Sequence, residues 1–588
     1  SSSGQHPSAA ERVPARYEPK EVEGRTYAAW MAAKAFAAED PATSKQEPFV
    51  IAIPPPNVTG SLHLGHALNN TLQDILIRFA RMRGKNACWI PGVDHAGLYT
   101  QVVVEKELKK EGKTRHDLGR EAFIGTVWEW KQKYGDRIVE QLKLMGCSCD
   151  WDRQRFTLDE GFTRATREHF VRLYRAGLIY RGERITNWCP RCQTALSDLE
   201  VKHLDRKGSL WHVRYTLTGG GEVILATTRP ETLLGDTAVA VHPEDERYVG
   251  LVGRTAILPL LHREIPVIAD SFVDKAFGTG VVKITPGHDP NDFEIGQRHQ
   301  LPIVNILNRD ATLNEAAGPY AGLDRFKARD RVVADLEAQG LLVQTEPHTS
   351  PVGHCERCET MLEPIVTKQW YMKMKGLADR AVAAVERKDI VLLPDNMPAI
   401  FNEWMRNIQD WCISRQTWWG HRIPVWHCAK GHYTVPASGG APDPTVCGEC
   451  REPVTQDPDT LDTWFTSCLW PFGILGWPDE QRFSAAKAAK LYPTTILVTG
   501  WDILFFWVSR MIMMGLHYTG EAPFRTVVLN SLVADPEGKK MSKSKGNVID
   551  PLDLFDRFGT DASRFALTRL ETLRETIRVS EERVEHGR

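Results

Sequence analysis

Apolar and polar residues alternate along this chain in a pattern that pairs short buried strands with amphipathic helices. The clearest pair begins with the apolar run Phe49–Ile53, which three prolines end. After the prolines, apolar residues recur at helical spacing at Leu68, Leu72, Ile75, Leu76 and Phe79. Because proline is excluded from helix interiors, the pattern predicts a strand, a turn and a helix that ends before Gly84. Thr59 and Ser61 are predicted to cap the helix.

The same order of signals continues in both halves of the chain. Strands are predicted at 87–90, 494–500 and 526–530. Helices are predicted at 106–110, 123–145 and 162–176, and after residue 500, where Ile503 and Trp507 share one face. Strands that alternate with helices are typical of the α/β class, with a parallel, doubly wound sheet that binds ligands at its strand ends.

The stretch from about 205 to 350 has a different pattern of apolar and turn-forming residues. Gly and Pro turns separate short apolar runs that favour strands over helices. The runs are Val223–Thr227, Thr237–Val241, Thr255–Leu258, Gly280–Thr285 and Pro302–Ile306. A β-rich domain inserted into the α/β core is therefore predicted.

Length and composition set limits on this picture. The chain has 588 residues, a net charge of −2 and 42% hydrophobic residues, which indicates a globular protein of several domains. The near-neutral charge does not indicate a nucleic-acid binder, so any such contact must come from local patches. No apolar run is long enough to span a membrane, and the first residues lack a signal peptide's apolar core. These features predict a cytoplasmic protein with no membrane partner.

The cysteines are spaced for metal rather than for disulfides. Six of the 12 occur as three Cys-x-x-Cys pairs, which in a chain without an export signal favours zinc. One closed four-thiolate site is predicted from Cys189, Cys192, Cys355 and Cys358, which flank the insertion. A second is predicted from Cys428, Cys447, Cys450 and His432, with His427 as the alternative fourth ligand. Both are expected to be structural, since neither leaves an open position.

Two stretches carry chemistry. His63-Leu64-Gly65-His66 comes where a helix N-terminus follows a strand, and such a terminus attracts anions. Gly65 lacks a side chain, so a flat base could pack on the backbone there. The Lys-rich stretch 539–547 interleaves lysine with Ser, Met and Gly, so that it could close over phosphates and neutralise a leaving pyrophosphate. A nucleoside triphosphate is the ligand that fits both stretches.

These stretches resemble the two signature motifs of the class I aminoacyl-tRNA synthetases. His63–His66 is similar to the first motif, usually His-Ile-Gly-His, and Lys540-Met541-Ser542-Lys543-Ser544 matches the second. Other short sequence motifs are similar to those of the valyl, isoleucyl and leucyl group, and most of all to those of its valine-specific members. These motifs, called words below, are Pro54–Gly60, Asp94–Gly97, Asn187–Pro190, Trp411–Gln416, Asp462–Phe465 and Thr499–Leu504. Leu64 and Tyr99 depart from the usual pattern, and Tyr99 is expected to alter packing near the adenylate.

The resemblance implies ATP-dependent activation of L-valine to valyl-adenylate and transfer to tRNA(Val). It assigns catalysis to His63, His66, Lys540 and Lys543, and ATP binding to these residues together with Gly65, Met541, Ser542 and Asp502. Mg²⁺ would arrive with ATP. A monomer is expected. The alternatives are an isoleucyl-type activity and a nucleotidylyltransferase, which shares the first motif but would lack the insertion.

The amino-acid pocket needs an anionic or amide partner for the ammonium of valine and a small apolar slot. Asn57 and Asp94 suit the ammonium. The slot is expected from Pro54, Pro55, Trp464, Ile503 and Trp507, which match the family's pocket positions. Such walls exclude isoleucine by size, but they cannot strongly reject threonine, which is nearly isosteric with valine. That shortfall predicts a second, hydrolytic site.

Two short motifs inside the insertion, residues 226–232 and 283–292, resemble the editing-site motifs of this group. We call them the first and the second editing word. The resemblance implies that they hydrolyse threonyl-tRNA(Val), with Thr227, Thr228, Thr232 and Thr285 offering hydroxyls, Arg229 and Lys283 holding the tRNA end, and Asp289 and Asp292 binding substrate and positioning water.

The predicted division of the chain follows. Residues 1–46 form an N-terminal extension, 47–204 and 461–570 the two halves of the catalytic core, and 205–350 the editing domain. Residues 351–460 carry the second zinc half, a connecting segment and the second zinc site. Residues 571–588 resemble the start of a helical anticodon-binding domain, so a chain ending there is expected to charge tRNA weakly.

Overall fold

The computed structural model describes residues 17–40, 43–539, 541, 549–573 and 576–587. Before the insertion, the elements in order are α1 (Pro19–Ala32), β1 (Pro48–Ala52), α2 (Leu64–Met82), β2 (Asn86–Ile90), β3 (Gly92–Val93), α3 (Leu98–Lys110), α4 (Arg115–Leu118), α5 (Arg120–Leu144), β4 (Arg155–Phe156), α6 (Glu160–Arg175), β5 (Ile179–Cys189) and β6 (Thr194–Leu196).

The insertion contains β7 (Val201–Leu217), β8 (Glu222–Thr227), β9 (Ala238–Val241), β10 (Thr255–Ile257), β11 (Glu264–Ala269), β12 (Val281–Ile284), α7 (Pro290–Arg298), α8 (Arg325–Ala338) and β13 (Leu342–Cys355). The connecting region contains β14 (Glu363–Met372), α9 (Lys375–Glu386), β15 (Val391–Leu393), α10 (Met397–Arg406), β16 (Trp411–Cys412), β17 (Ser414–Arg415), β18 (Trp426–Cys428), β19 (Tyr433–Thr434), β20 (Val454–Gln456) and β21 (Thr460–Leu461). The remaining elements are α11 (Thr463–Ser467), α12 (Trp470–Gly473), α13 (Glu480–Ala488), β22 (Thr494–Gly500), α14 (Ser509–Thr519), β23 (Phe524–Asn530), β24 (Leu532–Ala534), α15 (Pro551–Phe558), α16 (Thr560–Leu570), β25 (Thr576–Arg578) and α17 (Glu581–Glu585).

The catalytic core is the predicted parallel α/β sheet. β1 pairs in parallel with β2, while β22 pairs in parallel with β23 and β23 with β15. Val50 N donates to Thr495 Oγ1 over 2.9 Å and joins β1 to β22. Asn69 on α2 donates to Val498 O and to Asn530 Oδ1, over 3.0 and 2.8 Å. The helix after β1 is therefore anchored near the carboxyl ends of β22 and β23, where doubly wound sheets bind ligands.

The insertion is rooted on a long two-stranded ribbon. β7 and β13 pair antiparallel from Val201↔Cys355 outward. Beyond the ribbon, the sheet runs in the order β12-β9-β11-β10-β7-β13, with β8 also on β7. Its interior is a hydrophobic cluster that includes Val213, Tyr215 and Val239 and extends to Trp188 on β5 and Ile365 on β14. The β-rich sequence pattern of the insertion thus corresponds to a β-sheet whose core continues onto the paired strands β5 and β14.

Several local predictions are wrong. The cap of α2 is His63 rather than Thr59 or Ser61, because the His63 ring accepts a hydrogen bond from Gly65 N. Residues 302–306 form no strand. The stretch after β22 is not one regular α-helix. It is a 3₁₀ turn at Trp501–Ile503 and a π-helical turn at Leu504–Val508 before α14 begins.

The segment after residue 570 also differs from the expected start of a helical domain. Leu532–Ala534 and Thr576–Arg578 pair as parallel strands, and the short α17 follows among the described residues. Within the described residues, no helix is both long and apolar enough to cross a membrane.

Candidate active site

The prolyl turn between β1 and α2 is fixed against the neighbouring strand end. Asp94 N donates to Pro56 O over 2.9 Å, and Val58 N donates to Asp94 O over 3.1 Å. Asn57 therefore pairs with Asp94 as an isolated parallel bridge. Trp130 Nε1 donates to Val58 O over 3.0 Å from α5. The two residues predicted to meet the ammonium of valine thus lie side by side, with Asn57 exposed and Asp94 buried.

The two histidines of the first motif form a capping box at the start of α2. Gly65 N donates to His63 Nδ1 over 3.1 Å, and His63 N donates to His66 Nδ1 over 3.3 Å. The two rings lie 3.9 Å apart between centroids. Because each Nδ1 accepts a hydrogen bond, each neutral ring carries its proton on Nε2. Burial and the neighbouring His63 hold the pKa of His66 well below its usual value, so His66 is neutral at pH 7.

Gly65 makes this ring arrangement possible. A Cβ at Gly65 would lie 2.9 Å from His63 Cε1, closer than side chains tolerate. The sequence therefore places glycine here to let the His63 ring fold back over the helix start. A place for the base of a nucleotide, predicted from the same glycine, stays a prediction.

Neutral hydrogen-bond donors hold the carboxylate of Asp94 in place. Asp94 is 4% exposed, and its carboxylate accepts from Ala96 N, from Thr463 Oγ1 over 2.9 Å and from Ser467 Oγ. Ser467 O in turn accepts from Trp507 Nε1 over 2.9 Å. Burial raises the pKa of Asp94, although the three donors oppose that shift. Thr463 and Ser467 were missed as partners of Asp94, because they lie 369 and 373 residues away along the chain.

The predicted walls of the pocket are placed as follows. Trp507 is fully buried, while Trp464 and Ile503 are half-buried on the surface of the main core. Pro54 and Pro55 are half-buried at the start of the prolyl turn. The indole Nε1 of Trp464 is buried and has no hydrogen-bond partner. An unpaired polar atom of this kind indicates a position that a ligand or water completes.

A chain of buried charges, also missed from sequence, runs behind Trp464. Arg415 Nη2 donates to Glu200 Oε2 over 2.7 Å and to Asp462 Oδ2 over 2.8 Å. Asp462 accepts from Trp411 Nε1 over 3.0 Å and from Trp464 N over 3.2 Å. The Trp411–Gln416 and Asp462–Phe465 words are therefore one structural unit. They lie far apart in sequence, so their pairing could not be read from it.

The structure describes only some of the other residues that are predicted to bind ATP. Asp502 is exposed at the end of β22, and a Cβ at Gly500 would lie 2.6 Å from Asp502 Oδ1. Met541 packs against the main hydrophobic core. Lys540, Ser542 and Lys543 lie outside the described residues.

The two editing words meet around Lys283. Its ammonium donates to Thr232 Oγ1 over 3.0 Å, to Asp236 Oδ1 over 3.3 Å and to Thr285 Oγ1. Asp236, which was not predicted, also accepts from Thr285 Oγ1 over 2.6 Å and from Tyr215 OH over 2.7 Å. Lys283 is 9% exposed and Asp236 is fully buried. These contacts fix the Lys283 side chain from below.

Asp292 sits beside this network as a buried acid. Its Oδ2 accepts from Thr285 N over 2.8 Å. Asp289 caps α7 by accepting from Asn291 N and Asp292 N, over 2.8 and 3.1 Å. Burial raises the pKa of Asp292 to about 7, with repulsion from Asp289 adding to the shift and Lys283 opposing it. Asp292 therefore changes its charge near neutral pH.

The other predicted editing residues have structural partners. Thr227 Oγ1 accepts from Arg229 N over 3.0 Å, and Thr228 is half-buried beside it. Arg229 donates to His288 O over 3.0 Å and pairs with Glu231 and Glu363, and its predicted contact with the tRNA end stays a prediction. Its guanidinium is therefore already bound within the protein.

The first cysteine cluster forms as predicted at the root of the insertion. Cys189, Cys192, Cys355 and Cys358 place their sulfur atoms within 4.8 Å of one another. Four thiolates at this range fit a tetrahedral zinc ion. Arg357 stacks on Tyr99 at 3.5 Å and reaches Glu200 at 3.8 Å. Tyr99 therefore packs against Arg357, which lies between the cluster residues Cys355 and Cys358.

The second cluster brings together the four predicted ligands on the small sheet β19-β18-β20. Cys428, His432, Cys447 and Cys450 also lie within 4.8 Å of one another. His427, the alternative ligand, points elsewhere and binds Asp457 Oδ2 over 2.8 Å. Three thiolates and one imidazole suit zinc equally well. Both cysteine groups could hold zinc.

This geometry agrees with what comparison with known proteins shows. Residues 25–440 and 443–580 match the model of the family described as tRNA synthetases class I (I, L, M and V), and the chain belongs to that family. It is 55% identical to the valine--tRNA ligase of Syntrophotalea carbinolica over 97% of this chain and 63% of that protein. It is 56% identical to the valine--tRNA ligase of Geobacter sulfurreducens, again over 97% of this chain and 63% of that protein. The chain thus spans less than two thirds of the length of these relatives.

One solved structure shows the same fold. The agnB2 LeuRS of Agrobacterium radiobacter K84, solved as a ternary complex with tRNA and LeuAMS, aligns with a TM-score of 0.55 at 20% identity. The alignment covers 97% of this chain and 75% of that one. The predicted class of fold, an α/β core of synthetase type that carries a β-rich insertion, is confirmed.

Proposed function

We propose that this chain activates L-valine with ATP to valyl-adenylate and transfers the valyl group to tRNA(Val). The observation that carries the proposal is Asp94, a buried carboxylate held by neutral donors. It lies beside Asn57 on the turn that leads to the His63–His66 motif. Such a carboxylate suits the ammonium of an amino acid, and the apolar residues around it suit a branched aliphatic side chain. One turn then joins the amino-acid and ATP sites.

In this reaction an oxygen of the valine carboxylate attacks the α-phosphorus of ATP. The new O–P bond forms as the bond to pyrophosphate breaks, and no covalent bond to the protein is needed. His63 and His66 offer Nε2–H donors to the phosphates, since their Nδ1 atoms are occupied. The N-terminus of α2 adds its dipole.

Three further parts of the proposal concern the leaving group and the nucleotide. Lys540 and Lys543, with Met541 and Ser542, would hold the pyrophosphate, and Asp502 would meet the ribose. Mg²⁺ that enters with ATP would neutralise phosphate charge. Each of these assignments rests on the family resemblance of the residues.

Valine-dependent exchange of pyrophosphate into ATP tests the activation step directly. We expect exchange with valine, weaker exchange with threonine and almost none with isoleucine, with and without tRNA. The chain with His63→Ala and His66→Ala is the matched inactive control. Absence of valine-dependent exchange would refute the proposal, and exchange that prefers isoleucine would reassign the substrate.

We also propose that the insertion hydrolyses threonyl-tRNA(Val). Water adds to the ester carbonyl, the ester C–O bond breaks, and threonine and the free tRNA 3′ end are released. Lys283, fixed by Thr232, Thr285 and Asp236, supplies positive charge, and Asp292 is buried within reach of the same residues. Asp289 and Asp292 would bind the ammonium and hydroxyl of threonine and position the water.

The measurement for this step is release of threonine from ready-made threonyl-tRNA(Val), with valyl-tRNA(Val) as the matched control. We expect the threonyl ester to be hydrolysed much faster than the valyl ester. Equal rates for the two esters would contradict an editing role.

The two cysteine clusters would each hold one structural zinc ion. Metal analysis of the purified chain should then give two zinc ions per chain, and Cys355→Ser and Cys447→Ser should each remove one. A single ion, lost only in the Cys355 variant, would restrict zinc to the first cluster. Sedimentation should give the mass of a monomer, and a cell fractionation should place the protein in the cytoplasm.

A further inference from the structure

A buried ion cluster joins the insertion to β14 of the connecting region at a point other than the ribbon. Glu363, the first residue of β14, is 3% exposed. Its carboxylate binds two arginines from the insertion, Arg229 and Arg325, the latter over 2.6 Å. We call these three residues the Glu363 clamp. The Glu363 carboxylate, which lies outside the insertion, thus neutralises two arginines of the insertion.

The surroundings of the clamp are docked as well. Arg325 Nη2 donates to Met361 O over 3.0 Å, on the core side of the chain. Trp188, which faces Glu363 across β5 and β14, donates from Nε1 to Arg309 O of the insertion over 2.7 Å. The insertion therefore rests on the paired strands β5 and β14, next to the first cysteine cluster.

The clamp reaches both words of the proposed editing pocket through one residue. Arg229 belongs to the first word, and its Nη1 donates to His288 O in the second word over 3.0 Å. Its Nε lies 3.4 Å from Glu231, which Arg329 also holds by two bonds of 2.8 Å. The position of Arg229 therefore depends on Glu363, and the spacing of the two words depends on Arg229.

We infer that Glu363 is a positioning residue for the hydrolytic site of the insertion, contributed from outside the insertion by the first residue of β14. This inference rests on the editing function proposed above. Glu363 does not touch the Lys283 network, so it acts through Arg229 on the backbone of both words. The hydrolytic pocket is then completed by a residue outside the insertion, where β14 pairs with β5.

The test compares three full-length variants. Glu363→Gln removes the shared charge. Arg325→Gln removes a partner that contacts Glu363 and Met361 but neither editing word. Asp335→Asn is the matched control, because it removes the charge of a carboxylate on the same helix as Arg325, whose partners are Arg331 and Tyr320. Each variant is assayed for hydrolysis of threonyl-tRNA(Val), for valine-dependent pyrophosphate exchange and for backbone hydrogen exchange at residues 227–236 and 283–292.

We expect hydrolysis to fall roughly tenfold to hundredfold in Glu363→Gln and by a smaller factor in Arg325→Gln, because small misplacements of reacting groups cost this much. Valine activation should be unchanged, and amide exchange should quicken in both words. The control should match the wild type in every assay.

Three outcomes would overturn the inference. They are hydrolysis unchanged in both clamp variants, an equal loss of hydrolysis and valine activation, and an equal loss in the control. If the wild type itself fails to hydrolyse threonyl-tRNA(Val), the proposed editing function is refuted instead. Hydrogen exchange then still tests whether Glu363 positions the two editing words. Amide protection in Glu363→Gln equal to that of the wild type would show that it does not.

Discussion

Two buried aspartates stand at the centres of the two candidate pockets, and their surroundings differ. Asp94 in the catalytic core accepts from one backbone N–H and from the hydroxyls of Thr463 and Ser467. Asp292 in the insertion accepts one backbone N–H from Thr285 and otherwise faces charged groups, Asp289 and Lys283. Burial raises the pKa of both carboxyls, and that of Asp292 reaches about 7.

The difference separates a binding site from a site that handles protons. Neutral donors hold the Asp94 carboxylate in place and leave its charge for a cationic ligand. The charge of Asp292 depends on its neighbours, so this residue can gain or lose a proton near neutral pH. The first arrangement suits recognition of an ammonium, and the second suits activation of water.

The largest expected effect comes from removing the charge of Asp94. Asp94→Asn should lower valine-dependent pyrophosphate exchange roughly 10²- to 10³-fold, because a buried ammonium would lose its only full counter-charge. Hydrolysis of threonyl-tRNA(Val) should be unchanged. Thr463→Val, which removes a donor and keeps the charge, is the control and should lose much less. An exchange rate near that of the wild type would assign the ammonium to another residue.

The corresponding change in the insertion is Lys283→Met. It should lower hydrolysis of threonyl-tRNA(Val) roughly tenfold to hundredfold, since the buried Asp236 would lose its cationic partner. Valine activation should be unaffected. Lys275→Met removes an exposed lysine of the same domain, paired only with Glu244 at 3.5 Å, and should leave both activities intact. Parallel loss of activation and hydrolysis would mean that the two pockets are not independent.

How much of these pockets the sequence predicts depends on the distance between partners along the chain. The Cys-x-x-Cys pairs are local, and the structure brings their sulfur atoms together as predicted. The His63–His66 motif is also local, and it lies at the start of α2, where a helix N-terminus was predicted. The partners of Asp94 lie 369 and 373 residues away, so no local pattern reveals them. Arg229 carries the same lesson, because its carboxylate partner Glu363 is 134 residues distant. Local words identify the reacting groups, whereas the groups that hold them come from tertiary contacts.

Backbone geometry was the second source of error. The spacing of Ile503 and Trp507 predicts one face of an α-helix, but a π-helical turn at Leu504–Val508 widens the chain there. Such turns are common beside functional sites and leave no periodic signal. His63 as a helix cap was also missed, because capping preferences favour Ser, Thr, Asp and Asn.

The pH dependence of stability should distinguish the two aspartates. The folded-state pKa of Asp292 is raised to about 7. The folded chain therefore binds more protons than the unfolded chain between about pH 4 and pH 7, and its stability falls as the pH rises through this window. Asp292→Asn should remove this loss and stabilise the chain at pH 8 by on the order of 1–3 kcal/mol. Denaturant unfolding at pH 5 and pH 8 measures it, and an equal effect of the substitution at both pH values would show that Asp292 does not titrate there.

The smallest expected effect tests whether neutral donors keep Asp94 charged. The Ser467 hydroxyl lowers the pKa of Asp94, so Ser467→Ala should raise that pKa. At pH 8 valine activation should fall only roughly threefold to tenfold, the usual effect of one hydrogen bond. At lower pH the loss should grow, because the protonated form of Asp94 becomes populated sooner and cannot pair with an ammonium. Pyrophosphate exchange measured across pH 5.5–8.5 at saturating ATP, roughly the range in which a raised carboxyl pKa becomes visible, separates the two causes. A uniform loss at every pH would mean that Ser467 only shapes the pocket, and the contrast between the two aspartates would then rest on Asp292 alone.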